Sequence, residues 1–399
     1  MGVEPGKTTA IAGIGFTQYY RRGESLPQTP LELTCRAIIA ATEDAGLEVR
    51  DIDGFALFAM SAESNPALIA STLGIPLVRF AAGLTGGGGG TVGAIELASM
   101  AVMQGAADVV VTVMAVQQSA TRIGASFAGP GSYLRSSLGS TSDFVLPFGG
   151  MSPGQMFAIL AQRHMFEYGT TREHFGEVAI STRANASTRE SSLHKAPLTL
   201  DQYFEARMIS EPLCLYDFCV ESDGAVACIT VSGERAKSLR QPPAYILAGA
   251  HGGDGRWGNA FSWMQMPKDY FASSGHRSVA RMLYQRAGIS AADIDVALLY
   301  DHFSPAVIMQ LEDYGFCDVG DGGDFVAEGN IRWPHGTIPV NTHGGQLSEA
   351  YIIGMTNIRE AVEQLRGTAV NQVADAELAL VTGGPALVPT SGLILTNRL

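Results

Sequence analysis

The chain has 399 residues, of which 46% are hydrophobic and only 16% are charged, so it can form two or three domains with large apolar interiors. This composition excludes a disordered chain, and the net charge of -13 disfavours a nucleic-acid partner because it would repel a phosphate backbone. Apolar stretches such as residues 106–116 are interrupted by a charge and are shorter than the roughly 20 residues that a membrane span needs.

The first 116 residues predict an alternation of strands and helices. Short apolar, β-branched runs indicate strands, and apolar residues at helical spacing indicate helices. The strands are expected at residues 8–16, 53–60, 77–82 and 108–114, and the helices at residues 30–45 and 93–104. A run of five glycines, Gly86 to Gly90, leads into the second helix. Continuous apolar strands alternating with helices predict a parallel sheet covered on both faces.

The C-terminal part of the sequence repeats this order. Strands are expected at residues 244–250, 296–300 and 377–382, and helices at residues 278–287, 304–314 and 349–365. The segment Asn341-Thr-His-Gly-Gly leads into the last helix, as the glycine run leads into its counterpart. An internal duplication explains both the order and this detail.

A long insertion at about residues 117–215 separates the two halves. Insertions of this length in an α/β unit usually carry a substrate or partner surface. The strand that begins near Asp223 closes the first half, and Gln241-Pro-Pro marks a linker. We therefore predict an N-terminal half, residues 1–240, which includes the insertion, and a C-terminal half, residues 241–399.

The cysteines indicate a reducing compartment. Their number is odd, they are scattered, and the chain start lacks the basic and apolar segments of a secretory signal. The protein is therefore expected in the cytoplasm. Cys214 and Cys219 are five residues apart with no second pair to complete a tetrahedral site, so buried thiols are favoured over zinc.

Three motifs carry a resemblance to a known family. They are Tyr300-Asp-His-Phe-Ser, Gly344-Gly-Gln-Leu-Ser-Glu-Ala-Tyr351 and Glu221-Ser-Asp-Gly-Ala. With the duplicated halves and the inserted loop domain, they resemble the thiolase superfamily, and specifically its lipid-transfer-protein branch related to sterol carrier thiolases. The resemblance covers the whole chain. It implies an α/β thiolase fold, in which two βαβαβ halves form a layered α-β-α-β-α arrangement.

The chain departs from the thiolase pattern at the nucleophile. The position of the thiolase nucleophilic cysteine falls at about Gly88, and no second cysteine lies near Thr382-Gly-Gly. Tyr351 stands where the family carries the histidine that activates the nucleophile. Acyl transfer by a cysteine is therefore not expected.

The resemblance implies that Tyr300 and Tyr351 replace two imidazoles that face one cavity, although a tyrosine at a strand end is more often core packing. In extended geometry His302 shares the side of Tyr300, whereas Asp301 points the other way. A phenol acts as an acid unperturbed, but as a base it needs a neighbouring cation or donor. Asp301 is either a carboxylate partner or a structural group.

The glycine-rich turns are the candidate substrate and oxyanion contacts. Backbone N–H groups near Gly88, at a helix N-terminus, could hold an enolate oxygen, unless this run is only a loop. Gly344 and Gly384 are further candidates, and His343 either contacts substrate or fixes its loop. The aromatic stretch at residues 257–270 either lines an apolar channel or fills a subunit interface. No metal-ligand set is apparent.

A thioester pocket without a nucleophile predicts carbon–carbon cleavage of a β-hydroxyacyl-CoA through an enolate. The resemblance implies a steroid side-chain aldolase that converts a 17-hydroxy steroid C22-CoA thioester to a 17-keto steroid and propionyl-CoA. No prosthetic group is expected, since CoA is part of the substrate. Two alternatives stay open: a noncatalytic acyl-CoA-binding scaffold, and an acyltransferase with a displaced nucleophile such as Ser222 or Ser348.

The resemblance also implies a partner. The similar aldolases work with a DUF35 protein, which combines a zinc ribbon with an OB-fold domain and is often fused to or shared with a hydratase subunit. No such module is expected in this sequence. Thiolase-fold chains commonly form homodimers through the first-half sheet, so a heterotetramer built on a homodimer core is expected.

Overall fold

The computed structural model describes residues 8–59, 65–84, 89–120, 122–126, 146–150, 152–253, 272–384, 386 and 389–399. No helix in these ranges is long and apolar enough to cross a membrane.

The N-terminal half follows the predicted order of strands and helices. Its elements before the insertion are β1 Thr9–Phe16, β2 Tyr20–Arg21, α1 Pro30–Ala45, β3 Gly54–Phe58, α2 Pro66–Leu73, β4 Phe80–Leu84, α3 Gly90–Met103 and β5 Val110–Val116. The insertion contains α4 Ile123–Ser126, α5 Pro153–Tyr168, α6 Arg172–Ser187, α7 Leu200–Glu205 and the two-stranded sheet of β6 Met208–Ser210 and β7 Leu213–Cys214. The long strand β8 Ser222–Ser232 then closes the half, and α8 Gly233–Ala236 follows it.

The C-terminal half follows the predicted order of strands and helices, but its last long helix begins later than predicted. Its elements are β9 Ala244–Gly252, α9 Arg277–Ala287, β10 Val296–Leu298, α10 Ser304–Asp313, α11 Gly322–Ala327, α12 Met355–Arg366, β11 Leu378–Gly383 and β12 Thr390–Thr396. The prediction that the last long helix begins at Glu349 is wrong. A π-helical turn, Gly345–Glu349, comes first, and Ile353 (φ 49°) and Gly354 (φ 82°) interrupt the chain before α12. Tyr351 therefore lies on an irregular segment and not at the start of a helix.

The strands of both halves form one continuous sheet. Their order is β10-β11-β12-β9-β1-β8-β5-β3-β4, and β2 pairs with β8. The halves join where β9 and β1 run antiparallel, with Thr9 opposite Ile246. The expectation of a purely parallel sheet is wrong, because β8 and β12 run antiparallel to their neighbours. The pairs β3–β4, β3–β5 and β10–β11 are parallel.

The helices α3 and α12 form the inner layer of the fold. Each contacts strands of both halves, and the two helices contact each other. Their N-terminal ends are joined by a buried hydrogen bond of 2.6 Å, which the Thr91 hydroxyl donates to the carbonyl oxygen of Ile353. The N-terminal ends of α3 and α12 therefore meet at the centre of the molecule.

Candidate active site

Two tyrosine hydroxyls meet at this centre. The phenol oxygens of Tyr300 and Tyr351 lie 3.2 Å apart, within hydrogen-bond distance, and their rings are nearly perpendicular, with an interplanar angle of 85°. Tyr300 is only 1% exposed, and Tyr351 is half-buried. Both rings belong to the apolar core around α12. The fold thus brings together the two residues that the resemblance placed in one cavity.

The backbone of Tyr300, two residues beyond the end of β10, is held from both sides. Its N–H donates to the Thr382 hydroxyl at 2.8 Å, and its carbonyl oxygen accepts from the Gln310 side chain at 2.9 Å. Thr382 lies on β11 and Gln310 on α10, so two neighbouring elements fix the position of the Tyr300 backbone and thereby of its side chain.

The backbone of Tyr351 is held by the Ser222 side chain of the N-terminal half. The Ser222 hydroxyl accepts from the Tyr351 N–H at 2.8 Å and donates to the Tyr351 carbonyl oxygen at 3.1 Å. Ser348, the other serine considered as a displaced nucleophile, accepts at 3.0 Å from the Arg183 guanidinium and is buried. Both hydroxyls therefore have structural partners.

His302 lies beside Tyr300 in an apolar environment. The centroids of the two rings are 5.0 Å apart, and Phe157 and Phe303 pack on the imidazole. Burial lowers the pKa of His302 to about 3. Its Nδ1 atom has no hydrogen-bond partner among the described residues. The imidazole is therefore neutral near pH 7 and cannot supply the cation that would stabilise a Tyr300 phenolate.

Asp301 faces away from the phenols. Its buried carboxylate accepts from the N–H groups of Gln346 at 2.9 Å and Leu347 at 3.3 Å, in the turn that precedes Tyr351. A Cβ atom on Gly345 would overlap this carboxylate. Burial raises the pKa of Asp301. The observed contacts are structural, and they shape the turn that carries Tyr351.

His343 and Gly344 are packed inside the same turn. His343 is fully buried, its Nε2 atom lies 3.9 Å from a carboxylate oxygen of Glu349, and neither ring nitrogen has a hydrogen-bond partner among the described residues. Gly344 has φ 102°, and a Cβ atom there would stand 2.5 Å from that of Ala186 on α6. This packing favours loop fixing over substrate contact for His343.

The candidate oxyanion turn is described only in part. Gly88 lies outside the described residues, as does the aromatic stretch 257–270. Gly384 (φ 68°) follows β11, and a Cβ atom on Gly89 would lie 3.2 Å from the carbonyl oxygen of Gly383. The loop after β11 therefore adjoins the N-terminus of α3.

Gly354 connects this helix end to the phenols. A Cβ atom on Gly354 would stand 3.0 Å from the ring of Tyr300 and 3.6 Å from the Thr91 hydroxyl. The first turn of α3 is therefore close to the tyrosine pair, and its N-terminal dipole favours negative charge there.

Burial determines the ionisation of the two phenols. Burial raises the pKa of Tyr300 far above the usual 10, and the neighbouring Tyr351, Cys219 and Asp301 raise it further. Burial also raises the pKa of Tyr351, although the hydrogen bond from Tyr300 lowers it. Both phenols are therefore protonated at rest, and the effects on both pKa values agree with Tyr300 donating to Tyr351.

Sequence reasoning missed Cys219 as a neighbour of this pair. Its charged form would raise the pKa of both phenols, and its N–H donates at 2.9 Å to the carbonyl oxygen of His302. Burial raises the pKa of the thiol, so it is protonated and a poor nucleophile.

All five cysteines are free. In the described part of the chain, no three His, Cys, Asp or Glu side chains gather as metal ligands.

Known proteins resemble this chain over its full length. The family described as Thiolase C-terminal domain-like matches residues 258–397. The chain is 42% identical to a "Steroid side-chain-cleaving aldolase" of Thermomonospora curvata, with 99% of both chains covered. It is 39% identical to the "17-hydroxy-3-oxo-4-pregnene-20-carboxyl-CoA lyase" of Mycobacterium tuberculosis, covering 97% of this chain and 98% of that protein. A solved structure of the "Ltp2-ChsH2(DUF35) aldolase" matches with a TM-score of 0.89 and 40% identity, covering 98% of this chain and 99% of that chain.

Proposed function

The chain belongs to the thiolase superfamily, among the steroid side-chain-cleaving aldolases, and we propose that it cleaves the CoA thioester of a 17-hydroxy steroid by a retro-aldol reaction. The products are a 17-keto steroid and propionyl-CoA. The observation that carries the proposal is the hydrogen-bonded pair of neutral phenols, Tyr300 and Tyr351, which by the resemblance would replace two imidazoles of the thiolases.

The net reaction moves one proton, and the tyrosine pair can carry it. The proton of the 17-hydroxyl group passes to the Tyr300 oxygen as the bond between carbon 17 and the α-carbon breaks. Tyr300 releases its own proton to Tyr351, and Tyr351 protonates the α-carbon. Both phenols are neutral before and after turnover. This relay agrees with raised pKa values, because neither phenol has to ionise at rest.

The charge that develops on the thioester oxygen requires a donor. We assign this role to the N–H groups of the turn that begins α3, near Gly88, with Gly384 beside it. The helix dipole and close backbone approach at glycine both support this assignment. Asp301, His343 and Gly344 shape the second turn, and His302 shields Tyr300 as a neutral ring. CoA is part of the substrate, and the mechanism uses no prosthetic group.

We further propose a homodimer that binds a DUF35 protein, as a heterotetramer of two plus two. The support is the homologous aldolase with such a partner and the exposed edge of the sheet. Strand β4 is the last strand in the described order; exposed Leu77 precedes it in the sequence, and exposed Met100 and Met103 lie on α3, which contacts it. Five free cysteines suit a reducing cytoplasm, where we place the assembly.

The experiment is turnover of a 17-hydroxy steroid C22-CoA thioester by the chain alone and with a co-expressed DUF35 protein. We expect propionyl-CoA and the 17-ketone in equal amounts, with one deuterium at the α-carbon when the reaction runs in deuterium oxide. Binding of the thioester without cleavage in either preparation would favour the scaffold alternative.

Light scattering on Leu77→Arg tests the dimer, with exposed Val370→Arg as the control. An unchanged dimer in Leu77→Arg would exclude this edge.

A further inference from the structure

We propose that Ser222 is a positioning residue for carbon–carbon cleavage and acts through the backbone of Tyr351. The inference rests on the proposed role of the Tyr351 phenol. It gives Ser222 a function that differs from that of a nucleophile.

The Ser222 hydroxyl forms two hydrogen bonds with the backbone of Tyr351. It accepts from the Tyr351 N–H at 2.8 Å and donates to the Tyr351 carbonyl oxygen at 3.1 Å. A serine hydroxyl has one proton to donate and lone pairs to accept, so one group can serve both backbone atoms. Ser222 is 0% exposed and is the first residue of β8, the long strand between β1 and β5. The hydroxyl therefore rests on a rigid element.

Tyr351 depends on this contact because its own segment is irregular. Ala350 is extended, with φ -164° and ψ 148°, and Ile353 and Gly354 have positive φ. Tyr351 lies in neither a helix nor a strand. Among the described residues no ladder of backbone hydrogen bonds fixes Tyr351, and the Ser222 hydroxyl binds its N–H and carbonyl oxygen instead.

The two phenols are attached to different parts of the molecule. Gln310 and Thr382 hold the backbone of Tyr300 in the C-terminal half, whereas Ser222 holds Tyr351 from the N-terminal half. The 3.2 Å between the phenol oxygens is already longer than the roughly 2.5–3.0 Å that is typical of O–H···O hydrogen bonds. A small shift of Tyr351 would therefore break the relay. Misplacement by about 1 Å can cost roughly 10²-fold in rate.

The test is a double-mutant cycle between Ser222→Ala and Tyr351→Phe in the assembled enzyme. We expect Ser222→Ala to lower kcat by about 10- to 100-fold, with KM within about threefold. In the Tyr351→Phe background the same change should lower kcat by less than about twofold, because the group it positions is already gone. Thr230→Val is the matched control. Thr230 is buried on the same strand, and its hydroxyl has no partner among the described residues.

Each outcome decides the inference. An equal loss of kcat in both backgrounds, with a matching fall in thermal stability, would mean that Ser222 only stabilises β8, and would overturn it. Activity of Tyr351→Phe at the wild-type rate would instead refute the proposed role of the phenol. If Ser222→Ala does not fold, Ser222→Cys replaces it in the cycle, because its weaker hydrogen bonds loosen the contact while the thiol fills the space.

Discussion

The phenol oxygens of Tyr300 and Tyr351 lie 3.2 Å apart although the two tyrosines are 51 positions apart in the chain. The contact joins the turn after β10 to the irregular segment before α12. Because burial keeps each phenol protonated at rest and the two are hydrogen-bonded, we propose that they act as one proton-transfer unit.

We expect Tyr300→Phe and Tyr351→Phe each to lower kcat by roughly 10² to 10⁴, because each change removes one member of the relay. The double variant should be little worse than either single variant, since residues that act as one unit are not additive. Steady-state kinetics on folded protein check this. Tyr284→Phe, which removes a half-buried hydroxyl bonded to the carbonyl oxygen of Tyr314, is the control and should keep full activity. Near wild-type rates in both single variants would refute the relay.

The kcat should be nearly constant between about pH 6 and pH 9. Burial raises the pKa of both phenols, so they keep their protons beyond the value near 10 of a free phenol. The pKa of His302 is about 3, so its imidazole stays neutral across this range. A pH profile of kcat tests this expectation. An acidic limb with a midpoint between 6 and 7 that disappears in His302→Asn would show that His302 titrates during turnover.

Gly354→Ala should impair catalysis by displacing a phenol. The new Cβ atom would stand 3.0 Å from the Tyr300 ring, and the residue has φ 82°. We expect at least a tenfold loss of kcat, which kinetics will measure. Gly288→Ala is the matched control, because its φ of 71° brings the same backbone strain while no described residue would lie within 4 Å of its Cβ atom. Similar melting temperatures with a loss of kcat in Gly354→Ala alone would support the contact. Equal activities would contradict it.

Cysteine should be dispensable for the reaction. Cys219 lies beside both phenols, but burial raises the pKa of its thiol, and the relay needs no covalent intermediate. Cys219→Ala should retain kcat within about fivefold, and so should single replacements of the other four. Mass spectrometry after incubation with the thioester should find no acyl adduct. A loss above about 10³-fold in a folded variant would indicate a covalent route.

Acid should destabilise the fold in part through His276. This histidine is fully buried, its Nδ1 atom lies 3.1 Å from the Tyr314 hydroxyl, and burial lowers its pKa to about 3. Unfolding restores a pKa near 6.5, so the unfolded chain binds an extra proton between these values. Its contribution is therefore a loss of stability of about 1.4 kcal/mol per pH unit below pH 6. Urea unfolding between pH 6 and pH 4 measures how the free energy of unfolding changes with pH. The slope should be smaller by this amount in His276→Asn.

Much of the architecture could be predicted from local patterns. Apolar strands, helical spacing and the repeated order of elements predicted both halves, and the match to a solved aldolase confirms the thiolase fold. Strand directions were predicted less well. The antiparallel course of β8 depends on where the chain returns from the insertion, and periodicity carries no information about that path.

The sequence by itself predicted the order of strands and helices from periodicity, and its resemblance to the thiolase superfamily implied the fold, the reaction class and the two candidate tyrosines. The tertiary structure decided the rest. Only packing shows that His302 is neutral, that Asp301 binds the N–H groups of Gln346 and Leu347, and that Ser222 holds Tyr351. These properties come from burial and from hydrogen bonds between distant segments. Their physical origin is the environment that folding creates, which a sequence pattern does not encode locally.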